Sequence, residues 1–466
     1  MLSSKKMHFE VSERKILLRL FDVLAVIGGL SFVGHTFNFS YFTITEGSFY
    51  WTVVLALYLN ILGTVFEMYN LQVASNQFQI IKSIVLTSST TVLFFLLTPI
   101  FTPLLPSNRL QIIYFFLSIT ISLFIWRLFY QKFLASQRFV KKVIIVCDQN
   151  QLEELTTSLE KADPHYKVVG FVDTDSQNAN VDADMVSIIR PVNLDEIEIF
   201  VRKNGVSEIV IASQKTDGIT VELYNNLLVL LENGFVIRAY TQVYEAITHR
   251  IPIQHFDKDF YRYFPFSRSN QNRLYLLIVR LLELTFSIIG LLGGLVILPF
   301  VLIGNLIGNR GPLFYTQTRV GKNGVPFEIY KYRTMIKNAE SGGIKFATQG
   351  DARITPFGRL LRKSRIDEIP QFINILKGDM GFIGPRPERP FFVKELAAVM
   401  PFYETRHVIK PGLTGWAQVN YSYGESIEES LIKLQYDLYY IKHRSIFLDL
   451  NIVIKTFSTV LFYRGQ

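Results

Sequence analysis

The sequence predicts a membrane protein of mixed α and α/β class. It reads as four N-terminal transmembrane helices, a Rossmann-like α/β domain, and an α-rich domain entered through a re-entrant membrane helix. Three observations carry this reading. Apolar residues make up 49% of the 466 residues and charged ones only 19%. Four long apolar runs open the chain, and a fifth lies past its middle. Between them, β-branched runs alternate with helical patterns. The formal charge is +9. Apolar bulk with a basic balance suits a protein facing an anionic leaflet and argues against a soluble nucleic-acid binder. The length suits about three domains, which we draw at 1–138, 139–266 and 267–466. A single cysteine, Cys147, excludes an intramolecular disulfide framework and fits a reducing cytosol. The first apolar run is long and lacks a small-residue cleavage site, so no cleavable signal peptide is expected.

The four opening runs cover 16–36, 50–67, 83–105 and 111–128. Each approaches the roughly 20 residues a spanning helix needs. Arg19 and Asp22 lie a turn apart in the first, placed to pair with each other or to reach the interface. The segments on either side of this unit, MLSSKKMHFEVSERK and RLFYQKFLASQRFVKK, are basic, whereas the loop 37–49 has no lysine or arginine. The positive-inside rule therefore puts both ends of the unit in the cytoplasm.

From 141 to about 265, KKVIIVCDQN, YKVVGFVDTD, VSEIVIAS and GFVIRAY read as short strands separated by helical stretches such as NQLEELTTSLEKA. That alternation predicts a parallel sheet. A dinucleotide fingerprint would follow the first strand, but CDQNQLEE contains no glycine. Without glycine the backbone is kept from a pyrophosphate. We read this domain as a Rossmann-like module without a demonstrable cofactor, its ligand left open, serving regulation or as an assembly surface.

The fifth run, RLYLLIVRLLELTFSIIGLLGGLVILPFVLIGNLIGNRG, is long enough to cross a bilayer. Arg268, Arg273 and Arg280 lie at its start, and Arg310, Arg319 and Lys322 follow it. Basic residues at both ends argue that both ends stay cytoplasmic, against the alternative of a full crossing that puts the two large domains on opposite sides. Pro299 removes one backbone hydrogen bond and crowds the carbonyl of Leu295, so a bend is expected there, in a helix that enters one leaflet and returns.

The last segment is dense in Gly, Pro, Arg and aromatic residues. In SRIDEIPQFINIL, Asp367 and Glu368 precede Pro370, which is tolerated in the first turn of a helix. A helix starting near Asp367 would hold both carboxylates at its positive end. Arg359, Arg362, Lys363 and Arg365 come just before, and Arg386 in GPRP just after. Such surroundings favour an ionised acid available as nucleophile or metal ligand. Upstream, Arg319, Lys331 and Arg333 stand among glycines that suit turns near phosphates. Downstream, Trp416 in KPGLTGWAQVN either stacks on a base or sugar or fills core. Asp437 and Asp449 fall in KLQYDLYYIKHRSIFLDL, which reads as an amphipathic, membrane-facing helix.

In this order, RTM, LRKSRIDEIPQ, LKGDMGFIGPRP, PGLTGWAQVN and YDLYYI resemble the bacterial polyprenyl-phosphate phosphoglycosyl transferases of the large monotopic type, which initiate exopolysaccharide, capsule or O-antigen assembly. The resemblance runs through the whole chain: membrane helices, a CoA-binding-like domain, and a catalytic domain behind a re-entrant helix whose bend Pro299 matches. It implies an inner-membrane, multi-pass enzyme with its catalytic domain on the cytoplasmic face. The implied reaction takes a sugar-1-phosphate from a UDP-sugar onto Asp367, releases UMP, and hands the group to polyprenyl phosphate, undecaprenyl phosphate above all. Glu368 matches a companion acid that binds Mg²⁺, and Asp437 a further acid near the metal. Arg362 and Arg386 match phosphate-holding positions. Membrane lipids and a homodimer are implied as partners. One departure is visible: many relatives continue Gly-Arg after WAQVN, whereas Tyr421-Ser422-Tyr423-Gly424 follows here. Two other classes are weighed against this one. A membrane-bound nucleotide-sugar dehydratase needs a glycine-rich turn and a Tyr-x-x-x-Lys pair, and the chain has neither. A non-catalytic export scaffold has no need of an acid pair ringed by basic motifs.

Overall fold

The computed structural model describes residues 11–37, 39–42, 49–69, 74, 77–134, 140–163, 166–174, 189–212, 220–253, 267–337, 339, 351–421 and 426–461. The chain forms two compact units, Met1–Thr248 and His249–Gln466.

In the first unit, α1 (Val11–Thr36), α2 (Phe49–Val65), α3 (Gln77–Leu97) and α4 (Leu110–Phe129) cover the opening runs. Three of them, α1, α3 and α4, are long and apolar enough to cross a membrane. With 17 residues, α2 spans only about 26 Å at 1.5 Å per residue, the short end of the range. The third run is helical only to Leu97, not to 105. Pro99 ends it, because the residue before a proline is driven out of the helical region. Phe95, Phe115, Ile119 and Leu123 are fully buried among the helices. Buried hydroxyls at Thr87, Ser88 and Thr91 let backbones approach, and Thr120 donates to Ser88 at 2.9 Å. Asp22 does not pair with Arg19. Its carboxylate accepts from Arg127 Nη2 at 2.5 Å, joining α1 to α4, while Arg19 lies over the Tyr69 ring and donates to Thr64.

The α/β part is a fully parallel sheet in the order β3-β2-β1-β4-β5, from β1 (Lys141–Cys147), β2 (Tyr166–Asp173), β3 (Arg190–Pro191), β4 (Glu208–Ile211) and β5 (Val236–Ala239). The alternation in KKVIIVC sends Val143 and Ile145 to one face, against α5 (Leu152–Ala162) and α8 (Tyr240–Thr248). Ile144 and Val146 go to the other, against α6 (Ile197–Asn204) and α7 (Val221–Glu232). The two-residue β3 is too short to leave a period in the sequence. After β1, Gln149–Gln151 form a 3₁₀ turn running straight into α5, without a glycine.

The second unit opens with α9 (Arg273–Gly304), whose 32 residues run through Pro299 and end in a π turn at Asn305–Asn309. This is the fourth helix long and apolar enough to cross a membrane. One face carries Glu283, Ser287, Gly294 and Val301, all buried; the rest exposes leucine, isoleucine and phenylalanine. A hairpin follows, β6 (Phe314–Val320) with β7 (Pro326–Tyr332). Asn323 and Gly324 in its turn both take left-handed φ, as tight hairpins require. Then come α10 (Pro356–Lys363), α11 (Gln371–Lys377), β8 (Gly381–Ile383) paired in parallel with β9 (Gly412–Thr414), α12 (Pro390–Val399) and α13 (Trp416–Asn420). The stretch expected as one amphipathic helix breaks at Arg444 into α14 (Ile427–His443) and α15 (Ile446–Leu461).

α11 seats on α9 by close approach. A Cβ at Gly290 would fall 2.3 Å from the Phe372 ring, and one at Gly294 would fall 2.7 Å from Ile369. Arg280 closes the other end of the contact, donating to the carbonyls of Ile375 at 2.6 Å and Leu376 at 2.7 Å.

Candidate active site

Thr355 caps α10, accepting from the Gly358 amide at 2.9 Å, with Pro356 in the first turn. The helix ends at Lys363, and Arg365 then takes φ 58, a left-handed geometry uncommon outside glycine. That reversal delivers Ile366–Glu368 as a 3₁₀ turn, with Pro370 at the N-cap of α11. The acid pair therefore precedes the helix, whereas the sequence predicts that it opens it. Side-chain cations, not a helix end, provide its positive surroundings.

Three cations face Glu368 Oε1: Lys331 Nζ at 3.5 Å, Arg365 Nη1 at 3.6 Å and Arg386 Nη1 at 3.9 Å. Burial pushes the Glu368 carboxyl up, but Lys331, Arg386 and Arg365 outweigh it and the net shift is down. Asp367 is 7% exposed, and its Oδ1 is buried without a hydrogen-bond partner. Its carboxyl is pushed up to about 6, first by burial and then by the neighbouring Glu368, while Lys331, Arg362 and Arg365 pull the other way. Burial also lowers Lys331 and Arg362, against the pull of Glu368 and Asp367 respectively. Arg362 is aimed by its Nε, which donates to Thr334 Oγ1 at 2.9 Å. Asn374 in α11 donates to the Glu328 carbonyl and accepts from the Tyr330 amide, tying the helix to the strand that carries Lys331. The result is one ionised acid locked among cations beside a second acid whose carboxyl is pushed up to about 6 and whose Oδ1 has no hydrogen-bond partner. That arrangement suits attack on, or metal-assisted transfer of, a phosphoryl group.

Of the expected residues, Asp367, Glu368, Lys331, Arg362 and Arg386 come together. Arg333 has its donors committed elsewhere. It is buried, and its guanidinium donates to the carbonyls of Pro312, Met335 and Asn309, clamping the end of α9. Trp416 is core: 3% exposed, its Nε1 donates to the His249 carbonyl at 3.1 Å and its ring stacks on Tyr439. Arg319 holds a loop, donating to the Pro387 carbonyl and to Gln317, with Glu388 at 3.6 Å. Asp437 does not join the acid pair in a metal cluster. It is buried on α14, facing core rather than membrane, and accepts from Arg406 Nη2 at 2.7 Å. Burial pushes its carboxyl up to about 6 even against that arginine. Asp449, on α15, accepts from Tyr440 and Tyr275. Of the departing segment after Asn420, Ser422 to Gly424 lie outside the described residues.

Sequence reasoning passed over Arg406, Tyr403, Thr334 and Asn374. Only Asn374 left a signal, as the one polar residue within FINIL. The others acquire meaning through contacts between distant segments.

Mg²⁺ prefers one or two carboxylates completed by substrate phosphates. Among the described residues no group of three or more His, Cys, Asp or Glu is assembled to hold a metal. Asp367, with its unpartnered Oδ1, and Glu368 beside it fit that sparse mode; Asp437, committed to Arg406, does not.

Two family models match the chain: bacterial sugar transferase over residues 274–463 and CoA-binding domain over residues 64–223. A UDP-N-acetylgalactosamine-undecaprenyl-phosphate N-acetylgalactosaminephosphotransferase of Aeromonas hydrophila is 40% identical over 222 residues, 47% of this chain and 51% of its own. A UDP-glucose:undecaprenyl-phosphate glucose-1-phosphate transferase of Xanthomonas campestris is 39% identical over 178 residues, 38% of this chain and 37% of its own. An uncharacterized sugar transferase of Bacillus subtilis, EpsL, is 38% identical over 194 residues, 41% of this chain and 90% of its own. The chain spans about half or less of the length of the first two relatives.

Proposed function

The chain belongs to the bacterial sugar transferase family, and from that premise we propose that it transfers a sugar-1-phosphate from a UDP-sugar to undecaprenyl phosphate. The reading rests on one observation: the buried Asp367, with its unpartnered oxygen, set beside a Glu368 ringed by Lys331, Arg365 and Arg386. An Asp367 oxygen attacks the sugar-proximal phosphorus, forming an acyl-phosphate bond as the pyrophosphate P–O bond breaks and UMP leaves. An oxygen of the lipid phosphate then attacks the same phosphorus, the aspartyl bond breaks, and the carboxylate is regenerated. No proton or oxidant is needed to balance either step. Lys331, Arg362 and Arg386 hold phosphate oxygens, and Lys331 and Arg362, the cations that act most on Asp367, spread the charge that builds on them. Asp367 and Glu368 would hold Mg²⁺, whose charge would supply further neutralisation of the phosphates.

Contacts at both ends of α9 support a re-entrant course. Tyr275 donates to Asp449 and Arg280 to α11 near its start, while Asn309 at its end donates to the Arg333 carbonyl at 2.7 Å. A helix of 32 residues is about 48 Å long. A single domain gripping both its ends keeps those ends on one side of a bilayer, with the site at headgroup depth where a soluble nucleotide meets a lipid phosphate. The basic flanks of the first four helices make that side cytoplasmic. Cysteines introduced at Leu274 and Arg310 should both be labelled only from the cytoplasmic side of sealed vesicles.

Mg²⁺-dependent UMP release from a panel of UDP-sugars, with and without undecaprenyl phosphate, tests the reaction. The expected result is lipid-dependent turnover with one preferred sugar. A keto-sugar product would indicate a dehydratase, and no product with any sugar a scaffold.

A further inference from the structure

The loop carrying Arg386 is held at every carbonyl from Pro385 to Glu388. The Pro385 carbonyl accepts from the Gly412 amide at 2.9 Å, and that of Glu388 from the Val320 amide at 2.9 Å. Between them, the Pro387 carbonyl takes Arg319 Nη1 at 3.1 Å and the Arg386 carbonyl takes Arg406 Nη2 at 3.0 Å. Arg406 comes from a 3₁₀ turn (Tyr403–Val408), is 5% exposed, and donates Nη1 to Tyr403 Oη at 2.6 Å. A guanidinium so removed from water needs a buried counter-charge. Asp437 supplies it at 2.7 Å from the same Nη2 that holds the loop. Among the described residues, Arg406 is the cation that meets the Asp437 carboxylate at hydrogen-bond distance.

We propose that Asp437 is a positioning residue for nucleotide-sugar capture, acting through Arg406 on the Arg386 carbonyl so that the Arg386 side chain points at the acid pair. This rests on the transferase reading given above and assigns Asp437 no contact with metal or substrate. The Arg386 guanidinium, 43% exposed, is the least buried of the three cations facing Glu368. Its direction therefore depends most on the backbone beneath it. Losing either Asp437 or Arg406 loosens the anchor at the Arg386 carbonyl itself, while those at Pro385, Pro387 and Glu388 remain. The loss misdirects the Arg386 side chain and weakens phosphate binding while leaving Asp367 in place.

Two measurements on the full chain test this. Hydrogen–deuterium exchange in peptides spanning 383–392 needs no substrate. Asp437→Asn and Arg406→Lys should each raise exchange there by roughly tenfold and leave 371–377 unchanged. In UMP-release kinetics, Asp437→Asn should raise the UDP-sugar KM about tenfold with kcat within about twofold, and add less than about twofold when Arg386 is already alanine. The Mg²⁺ concentration for half-maximal rate should not move. Unchanged exchange, independent effects of Asp437→Asn and Arg386→Ala, or a several-fold higher Mg²⁺ requirement would each overturn the proposal. Should Asp437→Asn not fold, Arg406→Lys carries the same comparisons. Exchange that rises in a protein whose wild type releases no UMP from any UDP-sugar would leave the positioning role standing and remove the transferase reading.

Discussion

Asp367 is the residue at which stability and chemistry oppose each other. Burial shifts it toward the neutral form relative to an ordinary aspartate, yet attack on phosphorus needs the carboxylate. kcat/KM should therefore level off above about pH 6 and fall about tenfold per unit below it. Asp437 titrates in the same range, so the acid limb must survive in Asp437→Asn if Asp367 is its source. The sign for stability is the reverse. A carboxyl raised from its ordinary value of 3.8 to about 6 contributes stability at low pH that is lost as pH rises through 6. Asp367→Asn should abolish turnover by at least ~10³-fold. It should also melt higher than wild type at pH 7.5, with the difference vanishing toward pH 4. Trp416→Phe tests the opposite kind of residue: a lower Tm, since a buried indole and its bond to the His249 carbonyl are lost, with an unchanged UDP-sugar KM.

At the scale of elements, the seat of α11 on α9 decides where the acid pair stands. Gly290 and Gly294 are four residues apart on one face and receive Phe372 and Ile369, which follow closely on the acid pair in sequence. A larger side chain there pushes α11 outward, and overpacking of this sort costs ~1–3 kcal/mol. Because ~1 Å of misplacement can cost ~100-fold in rate, Gly294→Leu should insert into membranes normally and lose UMP release by about that factor. Leu292→Ala, on the exposed apolar face two residues away, should stay within about twofold of wild type. A Gly294→Leu enzyme of full activity would show that the close approach is not what places Asp367.

At the scale of the whole molecule, the chain joins apolar helices to a parallel α/β sheet, and two buried charges answer each other within the apolar helices. Asp22 and Arg127, 105 positions apart, pair inside the first helical unit with side chains at most 1% exposed. Removing one partner leaves the other stranded, so Asp22→Ala should lower Tm in detergent by the equivalent of ~3–5 kcal/mol. Asp22→Leu with Arg127→Met should recover most of that, since a matched apolar pair needs no counter-charge. Equal losses in the single and double variants would mean that the pair does more than neutralise itself. In the sheet, Glu208 is buried at the start of β4 between Lys141 and Arg238, which hold its carboxyl below the usual range against the cost of burial.

What could be read from residues alone were the features set by local period and composition: the apolar runs, the parallel sheet of the α/β part, and the basic setting of Asp367 and Glu368. Each is written in consecutive residues, because hydrophobic spacing and clustered charge act over a few positions. Tertiary structure alone decided which cations point inward. Arg333 and Arg319 look like Arg386 in sequence, but their guanidinium groups are taken by backbone carbonyls of segments far along the chain. The same holds for Asp22, whose nearest basic neighbour in sequence was the wrong partner, and for Asp437, whose arginine lies 31 residues away. A side chain's role follows from which donors and acceptors are left unmet around it. That balance is struck only once the chain has closed.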